Sequence, residues 1–143
     1  MGGVAADDKP NAAMLASIER LAAFIAAGGE GSAAEIFATG DVTIIENFAP
    51  YLFSGPDAVQ AWTNGMRTHL AGLSGLRYRF GQPHNFSRSG DQAFLSLATH
   101  WSGLVRGKAF SEAGGWCFVL ARQDGAWRIR DYGWAVTELS LDT

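Results

Sequence analysis

The sequence contains a single cysteine, Cys117, among its 143 residues. One thiol cannot form an internal disulfide, and it is too few for a cysteine-based zinc cluster. Cys117 lies between the apolar residues Trp116 and Phe118, in a segment whose pattern predicts a strand. This setting predicts a buried, unreactive thiol.

Runs of basic residues and long apolar stretches are also missing. Eleven lysines and arginines stand against fourteen acidic residues, the formal net charge is −3, and the basic residues are scattered. Nucleic acids and anionic membranes attract clustered positive charge, so we expect neither as a partner.

The longest apolar stretch, residues 21–27, is too short to cross a bilayer. The N-terminus lacks the pattern of a secretory signal, and we therefore expect a cytoplasmic protein.

Motifs that hold metals or cofactors are absent from the sequence. Its three histidines do not have the spacing of a metal motif (His69, His84 and His100). There is no phosphate-binding glycine loop, no nucleophile elbow and no Cys–His pair. We therefore expect no metal and no cofactor, and a covalent mechanism is disfavoured.

Apolar and aromatic residues are abundant. They make up 48% and 12% of the chain, with five tryptophans and nine phenylalanines. That number can fill a core and also line an apolar cavity. A chain of this length usually forms one domain. We predict a flexible tail at residues 1–10 and a single domain at residues 11–143.

Three helices are predicted in the N-terminal half. From Asn11, apolar residues recur at spacings of three and four, which indicates an amphipathic helix that ends at Gly28. Ser32 followed by Glu35 is a capping-box pattern and predicts a short second helix as far as residue 38. A third helix is predicted after Pro56.

Strand patterns dominate the rest of the chain. Residues 42–45 and 51–53 predict two short strands, and four longer candidates lie at residues 76–86, 93–104, 109–122 and 126–139. The short glycine-containing turns between the long candidates indicate antiparallel hairpins. The predicted fold class is α+β, with N-terminal helices packed into a mainly antiparallel sheet.

Three stretches have a recognisable order and spacing. They are Asp-Val-Thr-Ile-Ile-Glu-Asn-Phe at residues 41–48, followed by Gly55, the strand pair 94–101 and 116–120, and Asp-Gly-Ala-Trp-Arg-Ile at residues 124–129. Together they resemble the nuclear transport factor 2-like superfamily and, within it, the SnoaL-like and ketosteroid-isomerase-like enzymes. The resemblance implies a cone-shaped, cystatin-like α+β barrel, in which a strongly curved mixed sheet wraps the helices around an internal pocket. It also implies a homodimer. The superfamily includes non-catalytic binding domains, so the fold alone does not determine function.

Glu46 is the first candidate catalytic residue. Its spacing from Asp41 and Gly55 matches the position at which the isomerases carry their carboxylate base. A carboxylate in an apolar pocket has a raised pKa, so it can accept and return a proton near neutral pH. The alternative is a solvated glutamate at the end of a strand.

Asp131 is the second candidate, because it interrupts an apolar strand. Strict alternation places it on the face of Trp127 and Ile129, facing Glu46, and an acid there is costly unless it is paired or functional. The SnoaL-like enzymes hold an acidic residue at a similar position. The alternative is a structural ion pair with Arg128 or Arg130.

His100 is the third candidate, and its role depends on which face of its strand is concave. Alternation places His100 on the same face as Phe94, Ser96 and Ala98. If that face is concave, His100 lies beside Asp131 and can act as an acid or base. If Leu95, Leu97 and Trp101 mark the concave face instead, His100 is external and available for a dimer contact.

Six residues are candidates for substrate binding. Asn47, Tyr51 and Trp116 could orient a ligand, and each is equally consistent with ordinary packing. Trp62, Met66 and His69 follow one another on the buried side of the third helix, where His69 is expected at the pocket edge or in the core. One departure from the isomerase pattern is also visible. The positions that match the oxyanion-stabilising Tyr and Asp of the isomerases lie near Ala22 and Cys117, and neither residue is a strong hydrogen-bond donor. A steroid isomerase mechanism is therefore disfavoured.

These residues predict a cofactor-independent acid/base enzyme of the lyase, isomerase, cyclase or hydrolase type. Its substrate would be a small hydrophobic molecule, aromatic or polycyclic. Glu46 and Asp131 would form the acid/base pair, with His100 as an auxiliary. The alternative is a non-catalytic ligand-binding or dimerisation domain, whose pocket its own aromatic side chains could fill.

Overall fold

A computed structural model describes residues 9–142. It contains two helices and six strands: α1 (Ala12–Ala26), β1 (Val42–Ile45), β2 (Leu52–Gly55), α2 (Ala58–Leu70), β3 (Leu73–Ser89), β4 (Gln92–Val105), β5 (Lys108–Gln123) and β6 (Ala126–Leu141). Apart from Lys9 and Pro10, the tail predicted at residues 1–10 lies outside the described residues. Neither helix in this part of the chain is long and apolar enough to span a membrane.

The helix α1 begins and ends as its sequence predicts. The Oδ1 atom of Asn11 accepts a hydrogen bond from the Met14 N–H at 2.9 Å and so caps the first turn. Gly28 follows the helix with a φ of 76°, a left-handed conformation that favours glycine. One side of α1 is buried in the core (Met14, Ser17, Ile18, Leu21, Ala22, Phe24 and Ile25).

The short helix predicted at residues 32–38 is wrong, because this segment forms a turn and an isolated bridge to β6. The Ser32 hydroxyl accepts a hydrogen bond from the Ala34 N–H at 3.1 Å, as a local cap. The backbone of residues 36–38 then pairs with Ile129 on both sides: the Ile129 N–H donates to the Ile36 carbonyl and the Ala38 N–H to the Ile129 carbonyl. Pairing with β6 therefore uses the backbone groups that a helix would need.

The six strands form one open mixed sheet in the order β2-β1-β6-β5-β4-β3. Strands β3 to β6 are the predicted antiparallel meander, and β1 adds to β6 in parallel. The predicted fold class, helices packed in a curved and mainly antiparallel sheet, is confirmed. The sheet is not closed into a barrel, since β2 and β3 are its edges.

The two faces of the sheet differ in burial. The concave face packs against the helices, and in β4 it carries Leu95, Leu97, Thr99 and Trp101, all of which are buried. The outer face carries the alternate residues. Cys117 lies on this outer face and is exposed, so the expectation of a buried thiol is wrong. Its neighbours Trp116 and Phe118 take the buried positions, and alternation turns the thiol outward.

A bulge at Arg130 changes the alternation within β6. The register relative to β5 shifts at this point, which leaves Arg130 as one extra residue. Such an insertion reverses the alternation of the side chains that follow it, as far as a second register shift at Thr137. Ile129 is buried before the bulge and Tyr132 is buried after it, although the two are three residues apart.

Candidate active site

Glu46 directly follows β1, at the start of the loop that leads to β2. Its N–H donates a hydrogen bond to the Tyr51 carbonyl at 2.9 Å, and the Tyr51 N–H donates to the Phe48 carbonyl at 2.8 Å. These bonds hold the loop and direct the Glu46 side chain inward, where it is only 6% exposed. A carboxyl group so deeply buried is rare in proteins unless it is paired or functional.

Two side chains donate hydrogen bonds to the same carboxylate oxygen of Glu46. The indole N–H of Trp62 in α2 donates to Oε2 at 3.1 Å. The hydroxyl of Tyr132 in β6 also donates to Oε2. Among residues 9–142, no side chain donates a hydrogen bond to Oε1. Trp62 and Tyr132 therefore hold the carboxylate in place through Oε2.

The pKa of Glu46 is raised to about 7. Burial is the main cause, because it disfavours the charged form, and the charge of Glu112 adds to it. The hydrogen bonds from Tyr132, Trp62 and the Asn47 backbone act in the opposite direction, since they stabilise the anion. Burial also raises the pKa of Tyr132 far above its usual value, which keeps the phenol protonated as a donor.

A cavity opens next to Glu46, between the helices and the concave face of the sheet. Its volume is about 70 Å³, and it is open to solvent on one side. Four of the predicted site residues line it together with Glu46: Asn47, Met66, His69 and Trp116. Burial lowers the pKa of His69, and its ring stacks on Phe48 with the centroids 4.9 Å apart. The lining is otherwise mostly apolar (Ile25, Leu70, Leu73, Leu76, Trp101, Phe110, Glu112 and Trp134).

The indole of Trp134 lies over a position that has no side chain. A Cβ atom at Gly114 would come within 2.7 Å of the Trp134 ring and within 2.3 Å of the Ala135 carbonyl oxygen. Glycine at residue 114 is therefore required for the close approach of Trp134 to β5. Trp134 in turn packs edge-on against Trp116, with ring centroids 5.3 Å apart.

Glu112 is a second carboxylate in the cavity, and the sequence interpretation did not include it. It is directly opposite Trp101 in β4, so both side chains are on the concave face. Partial burial raises its pKa. Strand alternation could have found it, since Glu112 shares the parity of Trp116 and Phe118.

Asp131 does not face Glu46, and the expectation that it does is wrong. The bulge at Arg130 turns Asp131 to the outer face and places Tyr132 beside Glu46 instead. No ion pair with an arginine forms either, among the residues that the structure describes. The Asp131 carboxylate accepts a hydrogen bond from the Thr43 backbone N–H at 2.8 Å, which joins β6 to β1.

Three other candidate residues lie outside the cavity lining. His100 is on the outer face, because Leu97 and Trp101 occupy the concave side of β4, and it is therefore not beside Glu46. Tyr51 is 60% exposed in the loop after Glu46. Trp62 is fully buried behind Glu46 and contacts its carboxylate rather than the cavity.

The structure also locates the two positions that match the isomerase oxyanion donors. Ala22 is fully buried in α1, and Cys117 is on the outer face. Within residues 9–142, no group of three or more His, Cys, Asp or Glu side chains is arranged to hold a metal ion.

Comparison with known proteins gives matches to structures but not to sequences. No protein-family model matches the chain, and neither does any curated protein. A hexachlorocyclohexane dehydrochlorinase (LinA) Type2 matches with a TM-score of 0.76 at 13% identity, over 92% of this chain and 88% of its own. A nuclear transport factor 2-like superfamily protein from Salmonella enterica matches with a TM-score of 0.70 at 16% identity, over 85% and 87% of the two chains.

A third similar structure is described by both of the fold names used above, nuclear transport factor 2-like and cystatin-like. It is a nuclear transport factor 2-like protein with a cystatin-like fold from Novosphingobium aromaticivorans, with a TM-score of 0.65 at 20% identity, over 85% of this chain and 78% of its own. At such low identity, these similarities establish the fold and not the activity. The fold of this chain is that of the nuclear transport factor 2-like proteins, as the resemblance in sequence predicted.

Proposed function

We propose that the chain is an acid/base enzyme that moves a proton on a hydrophobic small molecule, with Glu46 as the group that takes and returns the proton. One observation carries the proposal. Glu46 combines a pKa of about 7, two side-chain donors that fix one of its oxygens and a position in the lining of an apolar cavity. A base with such a pKa is effective near neutral pH, where both of its protonation states are populated.

The simplest reaction that one base in an apolar cavity can catalyse is an elimination. The Glu46 carboxylate takes a proton from a carbon of the substrate, and the C–H electron pair becomes a double bond as a leaving group departs from the neighbouring carbon. The apolar walls keep water away from the carboxylate, which preserves its basicity. One structural neighbour is named a dehydrochlorinase, and loss of hydrogen chloride is an elimination. The chemistry requires no cofactor.

A generic elimination substrate tests the proposal before the natural substrate is known. 5-Nitrobenzisoxazole is flat and aromatic, and removal of its ring proton breaks the N–O bond to give a coloured phenolate. We expect the protein to accelerate this reaction roughly 10²-fold over equimolar acetate. The rate should rise with pH around a midpoint near 7, the pKa of Glu46.

Glu46→Gln should reduce the acceleration to the level of free acetate, because the amide is not a base. Glu35→Gln is the matched control, since Glu35 is exposed and far from the cavity lining. Equal rates for Glu46→Gln and the parent protein would show that Glu46 is not the base. A parent protein no faster than acetate would favour the alternative of a non-catalytic binding domain.

We also propose that the chain forms a homodimer through the outer face of the sheet. Ile45 and Leu52 are paired across β1 and β2 on this face, and they are 51% and 55% exposed. Next to Ile45 lies a shallow apolar depression, where Gly115 and Gly133 leave space beside Cys117. An exposed apolar sheet face of this kind is typical of a contact between subunits.

A further inference from the structure

Glu112 is held among apolar side chains without a partner of opposite charge. It is opposite Trp101 in β4 and Leu139 in β6, so the three side chains form one row across the concave face. Within residues 9–142 the only ion pair joins Arg122 to Asp91, and no side chain donates a hydrogen bond to Glu112. A half-buried carboxylate in this state is costly for the free protein and available to a ligand.

Three titratable side chains line the cavity, two carboxyl groups and one imidazole. They are Glu46 in the loop after β1, Glu112 in β5 and His69 in α2. Burial lowers the pKa of His69, so its imidazole is neutral. The remaining described lining residues, from α1, β3, β4 and β6, carry no charge, and none of the lining is lysine or arginine. The cavity therefore favours a positive charge over a negative one.

Aromatic rings form the wall beside Glu112. Trp116 packs edge-on against Trp101 and Trp134, with centroid separations of 6.2 Å and 5.3 Å, and Phe110 completes the group. The faces of such rings carry partial negative charge and attract organic cations, tryptophan most strongly. The rings also supply the apolar contact that a hydrophobic molecule needs.

We propose that the cavity binds a hydrophobic organic cation, a protonated or quaternary amine, whose charge lies against Glu112 and the tryptophan wall. The inference rests on the proposed function for the identity of the site and adds the chemical class of its ligand. A cation at this position also stabilises the ionised form of Glu46, because opposite charges lower the pKa of a nearby carboxyl group. Binding therefore prepares the base for proton removal.

A pair of ligands with the same shape and different charge tests the inference. (4-Hydroxyphenyl)trimethylammonium and 4-tert-butylphenol differ only in a nitrogen replaced by carbon. At pH 8, by isothermal titration calorimetry, we expect the parent protein to bind the cation at least about tenfold more tightly. Glu112→Gln should remove most of that preference and leave the affinity for 4-tert-butylphenol unchanged. Glu35→Gln should behave as the parent.

Three results would overturn the inference: equal affinities in the parent protein, no measurable binding of the cation, or a preference that Glu112→Gln leaves unchanged. The first two need no variant, so a folding defect in Glu112→Gln cannot obscure them.

A second readout follows from the linkage to Glu46. Near pH 7 the cation should release protons on binding, and the neutral ligand should not. The binding measurement needs no turnover, so it separates failure of the ligand class from failure of the proposed Glu46 chemistry.

Discussion

The hydroxyl of Tyr132 donates a hydrogen bond to Oε2 of Glu46, across a sequence separation of 86 residues. This bond joins the last strand to the loop after the first strand at the inner side of the cavity. It favours the ionised carboxylate, in opposition to the burial that raises the pKa of Glu46. The working pKa of Glu46 is therefore a balance that single substitutions can move.

Tyr132→Phe removes this donor and keeps the ring. We expect the pKa of Glu46 to rise by about one unit, because the anion loses a hydrogen bond while its burial is unchanged. The change is measured by NMR titration of the glutamate carboxyl carbons, with Glu46→Gln to assign the signal. Tyr51→Phe, at an exposed phenol, should leave the pKa unchanged. A Glu46 pKa that stays constant or falls in Tyr132→Phe would contradict this account.

Burial of Glu46 also makes stability depend on pH. The folded-state pKa, about 7, lies above the ordinary value of 4.5, so the folded protein binds more protons between these limits. The contribution of Glu46 is most favourable below pH 4.5. It is lost as the pH rises through 7, by about 3 kcal/mol in all.

Urea unfolding of the parent protein and Glu46→Gln at several pH values isolates this contribution. We expect the free energy of unfolding of the parent to fall relative to that of the variant from pH 4.5 to pH 8. Carboxyl groups that are not coupled to Glu46 contribute equally to both proteins and cancel in the difference. The interaction between Glu46 and Glu112 does not cancel and is part of the contribution of Glu46. A difference that is constant with pH, or that favours the parent as pH rises, would show that Glu46 is not buried as described.

Gly114→Ala should disrupt the wall of the cavity. The new Cβ would meet the Ala135 carbonyl oxygen and the Trp134 ring at distances below contact. We expect a loss of about 1–3 kcal/mol in the free energy of unfolding and a changed fluorescence of Trp134. Gly72→Ala is the matched control, because its Cβ would meet nothing within 4 Å. Equal effects of the two substitutions would argue against the close approach of Trp134.

Asp131 should matter for stability rather than for catalysis. Asp131→Ala removes the acceptor of the Thr43 N–H and should cost about 1–2 kcal/mol of stability. The rate of 5-nitrobenzisoxazole elimination should remain that of the parent protein at a temperature where the variant is folded. Asp131→Asn retains an acceptor oxygen and should recover most of the stability. A loss of rate in Asp131→Asn would support the catalytic role first predicted from the sequence.

The proposed dimer can be tested with two equally exposed leucines on opposite faces. Leu52 is on the outer face, whereas Leu141 is opposite Phe110 on the concave face, and both are 55% exposed. Leu52→Glu should convert the dimer to a monomer in sedimentation velocity at micromolar concentration. Leu141→Glu should remain a dimer. A monomeric parent protein would refute the proposal.

The elements that could be predicted from the sequence are those with a regular spacing of apolar residues. The helix after Asn11 and the long strands have clear periodicity, and their positions were predicted well. Glu46 directly follows β1, and its spacing from Asp41 and Gly55 was the basis on which it was selected as a candidate. The short helix predicted after Ser32 does not form, because pairing with β6 outweighs a local capping pattern. Local patterns contain no information about such distant pairing.

Asp131 and Tyr132 show the limit most clearly. Alternation is a reliable guide to the faces of β4, but which face is concave was open for His100 until the packing was known. In β6 a single extra residue at Arg130 reverses the alternation, and no feature of the sequence marks it. Glu112, by contrast, follows the regular alternation of β5 and could have been identified from its parity with Trp116.

The bulge at Arg130 has a consequence for how this site can change over time. Deletion of Arg130 would restore strict alternation and leave Asp131 opposite Val119 on the outer face and Tyr132 opposite Phe118 on the concave face. The phenol would therefore remain beside the carboxylate of the site. At this point of β6 the chain can gain or lose one residue over evolution while the two groups that face each other across the cavity wall are kept.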